Sequence, residues 1–479
     1  MLWIKGTCSL QYATSDTNLR LSTPTIGEER KRIHRRPSRI IPRVVPLAKH
    51  VIEKQTNQRN YEIILTRIQK FHPRKSDRRG CQTISQEISQ IVAENSDALW
   101  TIAHTIHELH ELRFAEVKSV AVLTQWLTEQ GFSVERPVAD MDTAFVAHRI
   151  IGKCGNGHPA VAFVAEYDAL PNMGHACGHN LIATMSVGGA VALATWLEDH
   201  EYSAHIQVIG SPGEEGGGGK IFLLEKGVFE NVDLALMLHP AANDEVAPQY
   251  LAREGIDVEF FGVAAHAAAA PEQGINALDA VVAFYQLLHA LRPRLRPTDR
   301  IHGIITHGGD SPNVIPEYTS ARILVRSIDA ERVHELLTWV EMAADSAAKG
   351  TGCQFRWSRF VPFYENVVHN SKLAGLAEHV FREFGRVPVT GTQSHGSTDM
   401  GNVSHLVPSL HANIGLGQGL VAHTHDFCTA ADSVQARQTM IDGAGILATM
   451  GARYVTDMGL QNSVHSQFLR PQGVSVDRD

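Results

Sequence analysis

Four short apolar runs between residues 144 and 240, each closing on a turn or a polar cluster, constrain this chain more than any other feature. They read AFVAHRIIG, PAVAFVAEYDALP, HIQVIGSPGEE and DLALMLHP, β-rich in places and of strand length. The patterns NLIATMSVGGAVALATWLEDH and GKIFLLEKGVFE lie between the later runs and carry apolar residues at helical spacing. Such alternation predicts an α/β fold, a mainly parallel sheet flanked by helices. Ligands of such sheets sit beyond the carboxyl ends of the strands. The polar clusters at 168–180, 211–219 and 239–240 fall there.

Helical spacing begins at Ile84 and a second helical run stops at Gly131, so a first folded unit is expected over 84–252. From 253 the order changes to strand, long helix, two strands, helix, with CQFRWSRF as the last strand. This β-α-β-β-α-β-like order predicts an inserted α+β domain over 253–366. The first unit then resumes over 367–456 and leaves a tail at 457–479. Residues 1–83 are expected to be an extension, because 1–80 hold 18 Lys/Arg against 6 Asp/Glu while the whole chain carries a net charge of −8. An acidic body gives no reason to expect a nucleic-acid partner. No apolar run approaches the ~20 residues of a membrane span, so no membrane partner is expected. The six cysteines are sparse and no secretory pattern precedes them, which predicts reduced thiols and a cytoplasmic location.

The stretch MGHACGHNLI places Cys177 and His179 two apart in a Gly-flanked loop. On an extended backbone they project to one side and can share a metal. SPGEEGGGGK supplies Glu214 and Glu215, adjacent carboxylates whose side chains diverge; one can ligate a metal while the other reaches a water. The same loop lacks the spacing of a phosphate-binding motif and sets two carboxylates where an anion would lie. His239 ends the run LMLHP, and GLVAHTHDF offers His423 and His425. Soft and borderline donors from four separate loops suit a transition metal such as Zn²⁺ or Mn²⁺ and not Ca²⁺.

The segments AEYDALPNMGHACGHNLIA, SPGEEGGGGK, LHP, GVAAHAAAAPEQGINALDA, GGDSPNVIP and GSTDMGNVSHLVPSLH occur in this order over residues 84–455. In order and spacing the chain resembles the aminoacylase and carboxypeptidase-G type of co-catalytic metallopeptidases. It is nearest the branch of p-aminobenzoyl-glutamate hydrolase and the dipeptidase-like proteins. The resemblance implies a zinc-exopeptidase-type sheet with an inserted ferredoxin-like lid and dimerisation domain, hence a homodimer or higher homo-oligomer. It implies one or two divalent ions, Mn²⁺ or Zn²⁺, held by Cys177, His179, Glu215, His239 and His423. His423 is preferred to His425 because the family's last ligand stands four residues before an aromatic, here Phe427. Glu214 then becomes the general base and Asp168 orients a ligand. His266 and Asn313 would reach the reacting group from the lid, in the same or the partner subunit, and Arg326 would pair a substrate carboxylate. Two departures, SPGEEGG for TPAEEGG and HELHELRFAE for a PEL.FEE pattern, remove no ligand and bear on substrate choice.

The implied activity is hydrolysis of the amide C–N bond of a small N-acyl amino acid, aminobenzoyl-amino acid or dipeptide. One alternative keeps the apparatus but releases ammonia from an aromatic amine. Another, from a different class, is a non-catalytic binding or scaffold protein, which would be expected to have lost Glu214 or a ligand.

Overall fold

The computed structural model describes residues 82–152, 157–389 and 396–469; the expected basic extension lies outside the described residues up to residue 81. Helix α1 (Ile84–Leu109) starts at a capping box in which Gln86 N–H donates to Thr83 Oγ1 and Thr83 N–H donates to Gln86 Oε1 at 3.0 Å. Next come α2 (Val117–Glu129), β1 (Ser133–Glu135), β2 (Phe145–Ile151), β3 (Ala160–Glu166), α3 (His179–Asp199), β4 (Ala204–Ser211), α4 (Gly219–Glu225) and β5 (Leu234–Ala241). The insertion contributes β6 (Ala252–Phe261), β7 (Ala265–His266), α5 (Ala277–Leu291), β8 (Arg300–His307), β9 (Val314–Ile315), β10 (Tyr318–Ser327), α6 (Ala330–Thr351) and β11 (Gln354–Arg359). The chain then forms α7 (Ser371–Glu383), α8 (Met400–Ser404), β12 (Ser409–Gly415), α9 (His425–Ala430), α10 (Val434–Thr456) and α11 (Met458–Phe468).

The large sheet runs β1-β2-β4-β3-β5-β12. Strands β4, β3, β5 and β12 are mutually parallel, so their carboxyl ends share one edge. Only β2 on β4 and β1 on β2 are antiparallel. Helix α3 is apolar all round and is accordingly buried on every side. Among the described residues it alone is long and apolar enough to cross a membrane, yet nearly all of it lies inside the protein. Gly188 permits the close approach of its neighbours, since a Cβ there would stand 2.8 Å from Leu99 Cδ1.

The second sheet, β11-β6-β10-β8, is antiparallel throughout. Alternate residues Ile256, Val258 and Phe260 of β6 and Ala321, Ile323 and Val325 of β10 share a core with Val281 and Phe284 of α5 and Leu336 and Val340 of α6. This is the ferredoxin-like arrangement, with one face of the sheet covered by two helices. The segment from 457, expected as a tail, begins instead with α11. Its anchors are distant in sequence: Asn370 Nδ2 donates to Val464 O at 2.9 Å, and Tyr454 Oη lies 2.7 Å from His465 Nε2.

Candidate active site

The parallel edge gathers the side chains. Asp168 follows β3, Glu214 and Glu215 follow β4, His239 lies near the end of β5, and His423 follows β12. Cys177 and His179 do not lie on extended backbone as the spacing suggests. Gly178 turns the chain through the left-handed region (φ 77°) and His179 is the first residue of α3. A Cβ at Gly178 would meet Pro240 Cγ at 2.9 Å, so the turn needs glycine for both its dihedral and its space.

Cys177 Sγ lies 3.5 Å from His239 Nε2, while His239 Nδ1–H donates to the Pro240 carbonyl at 2.8 Å. His179 Nδ1–H donates to Asp168 Oδ1 at 3.0 Å. The backbone N–H groups of Glu214 and Glu215 donate to Asp168 Oδ1 and Oδ2 at 3.2 and 2.9 Å. His423, held at φ 65° by its N–H bond to the Ala176 carbonyl, brings Nε2 to 3.3 Å from Glu215 Oε1. Donor atoms of Cys177, His179 and His239 all fall within 4.8 Å of one another, and so do those of Cys177, Glu215 and His423. The two sets share the thiol.

These donors fit a transition metal. His179 Nε2 is fully buried without a hydrogen-bond partner, its tautomer fixed by the bond on its other nitrogen. Burial pulls the His239 pKa down to about 4, which keeps that imidazole neutral and able to ligate. Burial, reinforced by Glu215, pushes the Cys177 thiol far above its ordinary value, so a thiolate there needs a cation beside it. Burial opposes charge on Glu215 as well, but His423 and His179 outweigh it and hold its carboxyl low. Glu214 behaves in the opposite way. Burial, then the charges of Glu166, Glu215 and Asp399, raise it well above the carboxylate range, giving it an appetite for a proton.

Three further residues join the site. Lys220, fully buried, sets Nζ 2.5 Å from Glu166 Oε1 and 2.6 Å from Asp399 Oδ1. Glu166 turns its other oxygen to 3.5 Å from His179 Nε2. Glu166 was within reach of sequence reasoning: it precedes Asp168 by two in EYDALP, and alternate residues share a side of a strand. Lys220 ends SPGEEGGGGK and Asp399 lies in GSTDMG, but nothing local says that they meet. Of the expected lid residues, Arg326 is close enough for its charge to act on His423. His266 and Asn313 come together on the small β7–β9 ribbon, where Ala267 N–H donates to the Asn313 carbonyl at 3.0 Å. Both are exposed, and among the described residues neither belongs to a group of donors close enough to share a metal ion.

The profile of Peptidase family M20/M25/M40 matches residues 162–444, which hold every one of these groups. The Xaa-Arg dipeptidase of Mus musculus is 34% identical over 83% of this chain and 94% of its own length. The chain belongs to the M20/M25/M40 family. One of the p-aminobenzoyl-glutamate hydrolase subunits of Escherichia coli is 34% identical over 56% of the chain and 58% of its own length. The fold matches an M20-family dinuclear metal-binding peptidase from Bacillus subtilis, with a TM-score of 0.56 and 20% identity over 74% of this chain and 99% of that one. It also matches an aminobenzoyl-glutamate utilization protein from Klebsiella pneumoniae, with a TM-score of 0.57 and 17% identity over 75% and 98%. Membership in M20/M25/M40 makes the chain a hydrolase of amide bonds.

Proposed function

We propose that this enzyme hydrolyses the amide of a small N-acyl amino acid, aminobenzoyl-amino acid or dipeptide, using Mn²⁺ or Zn²⁺ held by Cys177, His179, Glu215, His239 and His423. The observation that carries the reading is the convergence of those five donors around Cys177, with the proton-seeking Glu214 beside them. Ions bound there supply Lewis acidity, polarising the scissile carbonyl and acidifying water. The Glu214 carboxylate takes the water's proton and returns it to the leaving nitrogen. Asp168 anchors the loop that carries Glu214 and Glu215 by accepting both of their backbone N–H groups. The scaffold alternative is not favoured, since Glu214 and all five donors are present.

The division into catalytic parts at 84–252 and 367–456 and a lid at 253–366 is part of the proposal, supported by two separate sheets with separate cores. So is a homodimer formed through the lid. Its edge strand β8 exposes Ile304 at 62%, and exposed His266 and Asn313 stand, among the described residues, outside every group of donors close enough to share a metal ion. A cytoplasmic location accords with free Cys177, Cys353 and Cys428.

The test is to strip the purified protein with a chelator, reload it with Mn²⁺ or Zn²⁺, and assay p-aminobenzoyl-glutamate and a set of dipeptides. Loss and recovery of amide cleavage with metal is expected. Ammonia release from an aryl amine without acyl cleavage would support the deaminase instead.

A further inference from the structure

The peptide that joins the base Glu214 to its neighbour Glu215 is held at both of its polar ends. Its N–H, that of Glu215, donates to Asp168 Oδ2 at 2.9 Å, and its C=O, that of Glu214, accepts the Tyr364 hydroxyl at 2.7 Å. A peptide unit is planar and turns as one body between its two Cα atoms. Holding both ends therefore sets ψ of Glu214, and with it the direction in which the carboxylate leaves the chain. The loop needs such a hold. Gly213 and Gly216 flank the pair in the left-handed region, at φ 69° and 79°, and glycine backbone is the most permissive in the chain. The Gly216 N–H also donates to the Glu214 carbonyl, at 2.6 Å, but it belongs to the same loop and moves with it.

Tyr364 is anchored as a fixed post. It is 1% exposed and lies on the segment that returns from β11 to α7. Its backbone pairs with Arg253 of β6: Arg253 N–H donates to the Tyr364 carbonyl at 2.8 Å, and Tyr364 N–H donates to the Arg253 carbonyl at 3.0 Å. The Arg253 guanidinium lies 3.9 Å from the centre of the tyrosine ring. Asn402 of α8 holds the residues on either side, its Nδ2 donating to the Phe363 carbonyl at 3.1 Å and its Oδ1 accepting the Glu365 N–H at 3.2 Å. Pro362 packs on the glycine loop itself, since a Cβ at Gly218 would meet Pro362 Cγ at 3.0 Å. Burial, then the charges of Asp399 and Glu214, raise the phenol above its ordinary pKa against the opposing charge of Arg253, so the hydroxyl keeps its proton and stays a donor.

We infer that Tyr364 is the positioning residue of the general base: its hydroxyl fixes the peptide of Glu214 and so aims the carboxylate at the water it deprotonates. Tyr364 acts in this through Glu214 alone, and the inference rests on the reading of Glu214 as the base of amide hydrolysis. Without the hydroxyl the carbonyl end of the peptide is released and the carboxylate is less often in line with the water. Glu215 retains Asp168 on its N–H and His423 Nε2 at 3.3 Å from its carboxylate, so the metal-ligand set is expected to survive.

The experiment is steady-state kinetics with metal analysis on Tyr364→Phe, which keeps the ring and its Arg253 stack and removes only the hydroxyl. On a p-aminobenzoyl-glutamate or dipeptide substrate that the metal-loaded wild type cleaves, kcat should fall about tenfold or more, as for a displaced catalytic group. KM should stay within about twofold and metal content should not change, because only the reacting geometry is disturbed. Glu214→Gln enzyme has no base to position, so adding Tyr364→Phe to it should lower the residual turnover by less than about twofold. General damage to the fold would lower it by the same factor in both backgrounds. Should Tyr364→Phe fail to fold, 4-methylphenylalanine at position 364 fills the volume of the hydroxyl without donating and should show the same loss of kcat. Wild-type kcat in either folded variant, or an equal loss with and without the Glu214 carboxylate, would overturn the inference and leave the hydrolase reading standing. No amide cleavage by metal-replete wild type, or full turnover in Glu214→Gln, would instead sink the reading on which it rests.

Discussion

Asp168 organises the cluster from a fully buried position, taking His179 Nδ1–H on one oxygen and two backbone N–H groups across both. Burial works against its charge, but His179 and those N–H donors keep its carboxyl below the usual range. His179 is left with Nε2 turned toward Cys177 and Glu166, so ligand and orienting group act as one unit. A Cys177→Ala, His179→Ala double variant should therefore lose bound metal, measured by elemental analysis; unchanged stoichiometry would contradict the assignment. Glu116 gives a separate pH signature. It is buried, accepts the Gly213 N–H at 2.9 Å, and is pushed up to about 7 by burial and then by Asp168. Between its ordinary 4.5 and about 7 the folded protein holds a proton that the unfolded chain has released, so stability falls as pH rises through that window. Glu116→Gln, which mimics the protonated group, should remove about 1.4 kcal/mol per pH unit of that slope. Denaturation curves collected from pH 4.5 to 7 would show it, and parallel pH profiles would refute it.

At the scale of elements, Lys220 links β3 to the α4 and α8 regions through Glu166 and Asp399. Lys220→Met leaves two buried carboxylates without their cation, and a loss of about 3–5 kcal/mol is expected from chemical denaturation; a near-neutral change would mean that those groups are not charged in the fold. The strands that carry the site were legible because β3, β4 and β5 are buried nearly throughout and read as apolar runs. Strand direction was not, because a hydrophobic run reports burial and not pairing, and β2 in fact runs antiparallel to β4. The Cys177 and His179 spacing showed that the two belong together but not how, since the turn at Gly178 depends on packing against Pro240. Helix α11 was missed for a similar reason: its support comes from Asn370 and Tyr454, far away in the sequence.

For the whole molecule, the catalytic sheet holds Glu214 and the donors while His266 and Asn313 sit on a ribbon of the inserted domain. His266 Nδ1 accepts the N–H groups of Ala268 and Ala269 at 3.2 Å, which fixes the ring in the ribbon. If His266 serves the partner's site, mixing Glu214→Gln and His266→Ala subunits should restore activity, because one site of a mixed dimer has both residues intact. No recovery in demonstrably mixed dimers would place the histidine in its own chain's reaction. Both halves of the molecule matter only if Glu214 is the base of a metal-dependent amide hydrolysis. The most direct test is to measure metal content and amide turnover together in Glu214→Gln, which keeps the size of the side chain but cannot accept the proton. Metal content near wild type with turnover reduced by about two orders of magnitude or more is the predicted result; full turnover in a metal-replete variant would contradict it.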